Sequence, residues 1–299
     1  ICLSMVHISS LSLLSNFPER LTEGSAGIEI WSGIGSIIGP PIGGLIYPHY
    51  GITGIFFCVS LFPLLVFISV LCMRIYVIDI KMLEKYDISS PRRKITMKSV
   101  ASSKEVKQGA ILTAFNYGII GILESTFSPH LAQALHTDPS TVGFVFIIPS
   151  ICYSLVAFKV AKLVAHFGTL NTMLVGFFVS SISLLLFGPS PIFNLFQISF
   201  ETSRQTIAAG MLLLQVGSAL MSVPAFPLMQ GGASHLGKDA DSIVASLHSL
   251  SIGIGEAVGP LLGGTLMELV GHTNIPGCIT INAEIELKVS GELKAKFAL

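Results

Sequence analysis

GIGSIIGPPIGG, residues 33–44, puts five glycines and two prolines in the middle of a long apolar run. Glycine weakens a helix interior by about 1 kcal/mol and proline by about 3 kcal/mol. Both stand where they do most damage to a helix. Residues 253–264 read GIGEAVGPLLGG, identical at seven of twelve positions and displaced by 220 residues. Matched spacing in two copies marks a device, not an accident of composition.

The surrounding chain is built for lipid. Charged residues make up 11% of it, against roughly 25% in an ordinary soluble domain. Mean hydropathy is +0.76. A soluble fold of 299 residues would need a polar coat that this composition does not supply. Formal net charge is zero, so nothing points to nucleic acid. The five cysteines (Cys2, Cys58, Cys72, Cys152, Cys278) form no CxxC pair and no metal spacing. They read as small core filler, and no metal site is expected. The chain carries no Asn-x-Ser/Thr acceptor and no signal peptide. It begins at Ile1 inside an apolar run, and is expected to be a piece of a longer protein.

A membrane-crossing helix needs about 20 apolar residues. Residues 1–16 give a partial span, which FPER ends. Full spans are expected at 24–47, 51–73, 108–132, 140–163, 170–188, 206–229 and 242–270. Residues 74–107 hold nine of the seventeen lysines and arginines, which assigns this segment to the cytosol. Counting from there, cytosolic loops and helix ends also take Arg20, Lys159, Lys162 and Lys238, thirteen in all. The opposite loops hold only Arg204. One missed helix would have scrambled that split. After residue 270 no run is long enough to cross a bilayer, and 271–299 reads as an unstructured or non-native tail. The expected organisation is a remnant bundle at 1–73, a basic loop at 74–107, a second bundle at 108–270 and the tail.

The two glycine–proline elements fall in the second and eighth spans, counting the remnant as first. Six crossings separate them, so both helices run the same way, as in a parallel internal repeat. Gly35, Gly39 and Gly43 lie four apart on one helical face, and Gly255, Gly259 and Gly263 repeat the pattern. Gly33, Gly44, Gly253 and Gly264 complete the two copies. Faces without side chains let helix backbones approach closely. Pro40 and Pro260 bend the helices, and neighbouring helices satisfy the freed carbonyls. Bent, closely packed helices suit a sliding contact between two halves.

These residues resemble a known family. GIGSIIGPPIGG and GIGEAVGPLLGG are similar to the glycine–proline antiporter motif of the major facilitator superfamily, in its fifth helix and the counterpart eleventh. FPER resembles the phrase that ends the fourth. ILESTFSPHL (122–131) and VGFVFIIPSICYSLVAFKVAKLVAHFG (142–168) resemble helices 7 and 8 of its vesicular amine and polyamine transporter branch. The resemblance implies an all-α membrane fold, partial here: the end of helix 4 and helices 5 to 11, in two pseudo-symmetric bundles. It further implies a secondary transporter, coupling proton antiport to an organic cation, amine or polyamine. No cofactor is implied beyond a proton gradient, and no nucleic acid or obligate protein partner. The alternatives are a carrier of another solute on the same scaffold and a shortened membrane protein that transports nothing. A seven-helix receptor is a third, but it would not need duplicated glycine–proline helices. No nucleophile–base set or phosphate loop argues for an enzyme.

Ionisable groups inside a membrane are costly and mark candidate sites. Glu124 stands where the amine branch is similar, with Leu-Glu-Pro there and Leu-Glu-Ser here. Such a carboxylate can hold a proton or a cationic amine in turn. Glu256 lies within the second glycine–proline element, where the first copy has Ser36. His248, two turns earlier, is a candidate proton relay, and His7 a weaker one. Glu29 and Trp31 read as interface anchors. Pro224 and Pro227 are expected to kink their helix. The resemblance places an acid in that helix of monoamine carriers, whereas this chain has Met221-Ser222-Val223. AKLVAHFGTL occupies the place of a basic gating loop, with Lys162, His166 and Gly168.

Overall fold

The computed structural model describes residues 2–15, 18–76, 95–135, 147–186, 204–237 and 239–270. Most of the basic loop and the whole tail 271–299 therefore lie outside the described residues. The elements are α1 (Cys2–Leu14), α2 (Leu21–Tyr76), α3 (Met97–Ala101), α4 (Lys104–Leu135), α5 (Ile147–Phe167), α6 (Thr169–Leu186), α7 (Arg204–Ala233) and α8 (Asp239–Val270). Short 3-10 turns, Pro18–Arg20 and Ser234–Leu236, lead into α2 and α8. No strand occurs among the described residues. Lipid offers the backbone no hydrogen bonds, so each apolar run satisfies its own as a helix.

Six of these helices are long and apolar enough to cross a membrane. They carry the seven expected full spans, because α2 holds two. Its 56 residues would make a rod of roughly 84 Å at ~1.5 Å per residue, far beyond a ~30 Å hydrocarbon core. The helix breaks at Gly51, with φ 61° and ψ −162°. That conformation is essentially reserved for glycine. The break divides arm 21–50 from arm 52–76, close to the expected boundary. The second arm packs differently from expectation: no residue from 52 to 72 is buried. Cys72 is accordingly exposed, whereas Cys58 and Cys152 are half-buried; all three are free thiols.

At the centre lies α7, which packs against α2, α4, α5, α6 and α8. Residues 217–230 of α7 are buried without interruption, and Pro224 and Pro227 fall inside that stretch. Gly217 meets Gly176 of α6: a Cβ on either would stand 2.7 Å from the other's carbonyl oxygen. No sequence pattern had singled out that pair.

The two glycine–proline elements pack differently. In α8 the expected seam forms, against α4. A Cβ at Gly255 would lie 2.5 Å from the Ala114 carbonyl oxygen and 2.8 Å from the Gly118 nitrogen. One at Gly259 would lie 2.5 Å from the Gly118 carbonyl oxygen, and one at Gly263 2.5 Å from Ser125 Oγ. In α2, Gly35, Gly39 and Gly43 have no atom within 4 Å of such a position among the described residues. Gly33 is in contact, against Tyr153 and Ser154 of α5.

Apolar clusters gather at the end of the bundle that the charge count assigns to the cytosol. Leu11, Leu21, Val100, Val106, Phe226, Met229, Ala240 and Val244 form one, drawn from α1, α2, α3, α4, α7 and α8. Ala26, Ala157, Val160, Ala219, Leu220 and Val223 form a second, joining α2, α5 and α7. Chain ends expected on one side of the membrane thus meet in space. The α5–α6 junction turns on Gly168, at φ 82°.

Overpacking a close-packed contact costs about 1–3 kcal/mol. Gly259→Leu is therefore expected to lower the thermal midpoint of the detergent-solubilised protein, read by light scattering or tryptophan-free dye fluorescence. Gly264→Ala, on the same helix but with nothing within 4 Å, is expected to leave it unchanged or slightly raised. Equal effects would mean the seam does not govern α4–α8 packing.

Candidate functional site

Beyond the apolar clusters the helices part around a cavity of about 620 Å³. In α4 the first cluster takes Val106, and the cavity begins at Tyr117. In α8 the cluster ends at Ala245, and the cavity begins at Glu256. The gap in each is about three helical turns. The cavity is thus floored on the side assigned to the cytosol. Its walls come from both parts of the chain: α2 on one side, and α4, α5, α7 and α8 on the other.

The two glycine–proline elements face this same space. From α2 come Gly33, Gly35, Ser36 and Pro40; from α8 come Glu256 and Pro260. Ser36 and Glu256, counterparts in the duplicated motif, line opposite walls. Their placement is that expected of paired helices at a boundary between two halves.

Three carboxylates line the cavity: Glu29, Glu124 and Glu256. No lysine, arginine or histidine lines it among the described residues. Glu124 and Glu256, the two expected carboxylates, are brought into one cavity. Both are exposed to the cavity. Tyr117, Ile120 and Glu124 recur at helical spacing on one face of α4, turned inward by the glycine seam with α8.

Glu29 corrects the sequence reading. It is no interface anchor, being only 8% exposed and at the cavity floor. The Tyr153 hydroxyl of α5 donates a hydrogen bond to its carboxylate. Ser222 of α7 lines the same cavity as Tyr117 and Tyr153 and accepts from Asn116 Nδ2 at 2.9 Å. One bond thus ties α2 to α5 and another ties α4 to α7. Position governed the misreading: Glu29 lies two turns into a span that opens at Leu21, where a surface anchor is ordinary. The available signal was its spacing from Gly33 and Ser36, which puts it on the inward face. Trp31, by contrast, is 74% exposed, as an anchor should be.

The acid sought in α7 is absent, and Ser222 stands at that level. The carboxyl at this end of the cavity is that of Glu29 on α2, bonded by Tyr153. Pro224 and Pro227 lie one turn below, outside the lining.

His248 does not join the carboxylates. It is 3% exposed, stacked on His7 at 6.0 Å between ring centroids and edge-on to Phe226 at 5.8 Å. His7 Nδ1 bonds Ser249 Oγ at 3.0 Å, and Nδ1 of His248 has no partner among the described residues. The pair bridges α1 and α8 beside the apolar floor. His166 stacks edge-on against Phe167 at the end of α5, at 4.7 Å. No group of three or more metal-ligating side chains converges among the described residues.

Residues 109–283 match the Major Facilitator Superfamily. The chain is 26% identical to the Mus musculus MFS-type transporter SLC18B1 over 271 residues. It is 25% identical to the Homo sapiens protein of that name over 271 residues, and 24% to the Rattus norvegicus one over 274. Each alignment covers 88% of this chain and 56% of the relative, so the chain spans about half the length of the curated relatives it matches. The helices, the cavity between the duplicated elements and this match agree: the chain belongs to the major facilitator superfamily, as an integral, multi-pass membrane protein.

Proposed function

We propose that the whole protein is a secondary transporter that exchanges protons for an organic cation, an amine or a polyamine. One observation carries the reading: a cavity between α2 and α8 lined by three carboxylates and no described basic side chain. Such a cavity attracts cations and repels anions before any contact is made. Tyr117 and Tyr153 add ring faces suited to ammonium groups. Pro149, Met211 and Leu214 supply apolar wall for a hydrocarbon backbone. A carboxylate that binds an ammonium must first lose its proton, so cargo and proton compete for one site. That competition is the minimum needed for antiport. The resemblance of 122–131 and 142–168 to the amine and polyamine branch supports the same cargo class.

The architecture supports a reading of alternating exposure. The cavity is closed on one side where α1 and α2 pack on α3, α4, α5, α7 and α8. Parting that contact while closing the opposite side would present the carboxylates to the other face.

The test is uptake of labelled amines and polyamines into vesicles bearing the full-length protein. Uptake of at least one, dependent on a pH gradient and abolished by a protonophore, is expected. Uptake of neutral or anionic solutes alone would overturn the cargo assignment. Glu124→Gln removes a charged partner, and a hydrogen bond to a charged group is worth about 1.5–3 kcal/mol. Apparent cation affinity is then expected to fall roughly ten- to hundredfold, with monodisperse elution retained. Unchanged uptake would remove Glu124 from the mechanism.

A further inference from the structure

We propose that Glu29, held by Tyr153, is the carboxylate at which proton and cargo ammonium exchange, and that it links the two halves. The inference rests on the antiport reading and assigns its central residue. Glu124 and Glu256 face open cavity, where water can solvate their charge whether or not a cation is bound. Glu29 is 8% exposed, at the end of the same cavity. A charge so placed is costly unless partnered, and no described cation lines the cavity. Its side-chain bond among the described residues, from the Tyr153 hydroxyl, crosses from α2 to α5. An acid in that position is complete in two states, protonated or bearing an external cation.

The exchange balances simply. The protonated carboxyl meets an alkylammonium ion; the carboxyl proton passes to cavity water, and the carboxylate keeps the ammonium as its counter-ion. No covalent bond to carbon changes. An ammonium seated there competes with Tyr153 for the carboxylate oxygens. Displaced, Tyr153 loses its bond to α2 and can turn into the cavity, which Ser222 of α7 also lines. Occupancy of Glu29 thereby alters a bond between α2 and α5, the helices whose packing closes the floor. The titratable groups facing Glu29 are Tyr153 on α5 and Tyr117 on α4, while α7 presents Ser218 and Ser222. Glu124 on α4 and Glu256 on α8 share the cavity farther out.

Two arms test this on the full-length protein. The first does not depend on cargo. A hydrophobic carbodiimide reacts with protonated, water-shielded carboxyls, and peptide mass spectrometry locates the adduct. Glu29 is expected to be labelled, with labelling that falls as pH rises, and in a Tyr153→Phe variant that dependence is expected to shift. Labelling at Glu124 or Glu256 with none at Glu29 at any pH overturns the proposal. The second arm uses whichever amine the uptake panel shows to be carried. Glu29→Gln is expected to lose gradient-driven uptake, and Glu29→Asp to regain part of it. Tyr153→Phe is expected to change turnover, counted per monodisperse folded protein, more than KM. Gradient-driven uptake at the wild-type level in Glu29→Gln overturns the proposal. A full-length protein that carries no amine refutes the cargo reading instead, and the labelling arm still decides Glu29.

Discussion

Two helix backbones in direct contact set the geometry of this protein. α8 lies on α4 through Gly255, Gly259 and Gly263, so close that a single added carbon would collide with backbone at the first two. In lipid, helices gain little by hiding apolar surface from one another, and close van der Waals contact does that work. The contact fixes rotation as well as distance. With those glycines turned to α4, Glu256 and Pro260 are carried to the cavity, and Tyr117 and Glu124 turn in beside them. The site is a consequence of where side chains are missing.

The opposite wall is attached by polar bonds as well as by the apolar clusters and the close approach at Gly33. α2 meets α5 through Glu29 and Tyr153. α1 meets α8 through His7 with Ser249 and Ser12 with Ser242, both at 3.0 Å. Gln230 of α7 reaches the Ser15 carbonyl at 3.4 Å and Asp241 at 3.2 Å. Small hydroxyl and imidazole contacts around an apolar plug form a seam that can break and re-form without exposing a large surface. Within each part the joins are tight, as at Gly176 and Gly217; between the parts they are exchangeable. That contrast is what a rocking transporter needs.

Much of this was legible in the residues. Apolar length located the helices, and the lysine and arginine count located their ends. The repeated GIG…GP…GG located the two helices that face one another. Glu124 and Glu256 were readable because a carboxylate in an apolar run has few uses. Glu29 was missed because depth along a helix does not reveal what lies across from it. Its partner Tyr153 is 124 residues away, and only the packing of α2 on α5 joins them. The two motif copies looked equivalent, yet only the second meets a neighbour along its glycine face among the described residues. Sequence identity reports shared ancestry of a helix, not the surroundings of each copy.

The central claim is that a cation and a proton compete for the carboxylates of one cavity. Proton release on binding measures that directly. Purified full-length protein, in weakly buffered detergent solution near its working pH, would be titrated with an amine such as spermidine while a pH dye is followed. Binding accompanied by acidification that saturates with it, absent when the cavity carboxylates are replaced by glutamines, is the predicted result. Saturable binding with no proton released, across the pH range in which carriage occurs, would contradict the account.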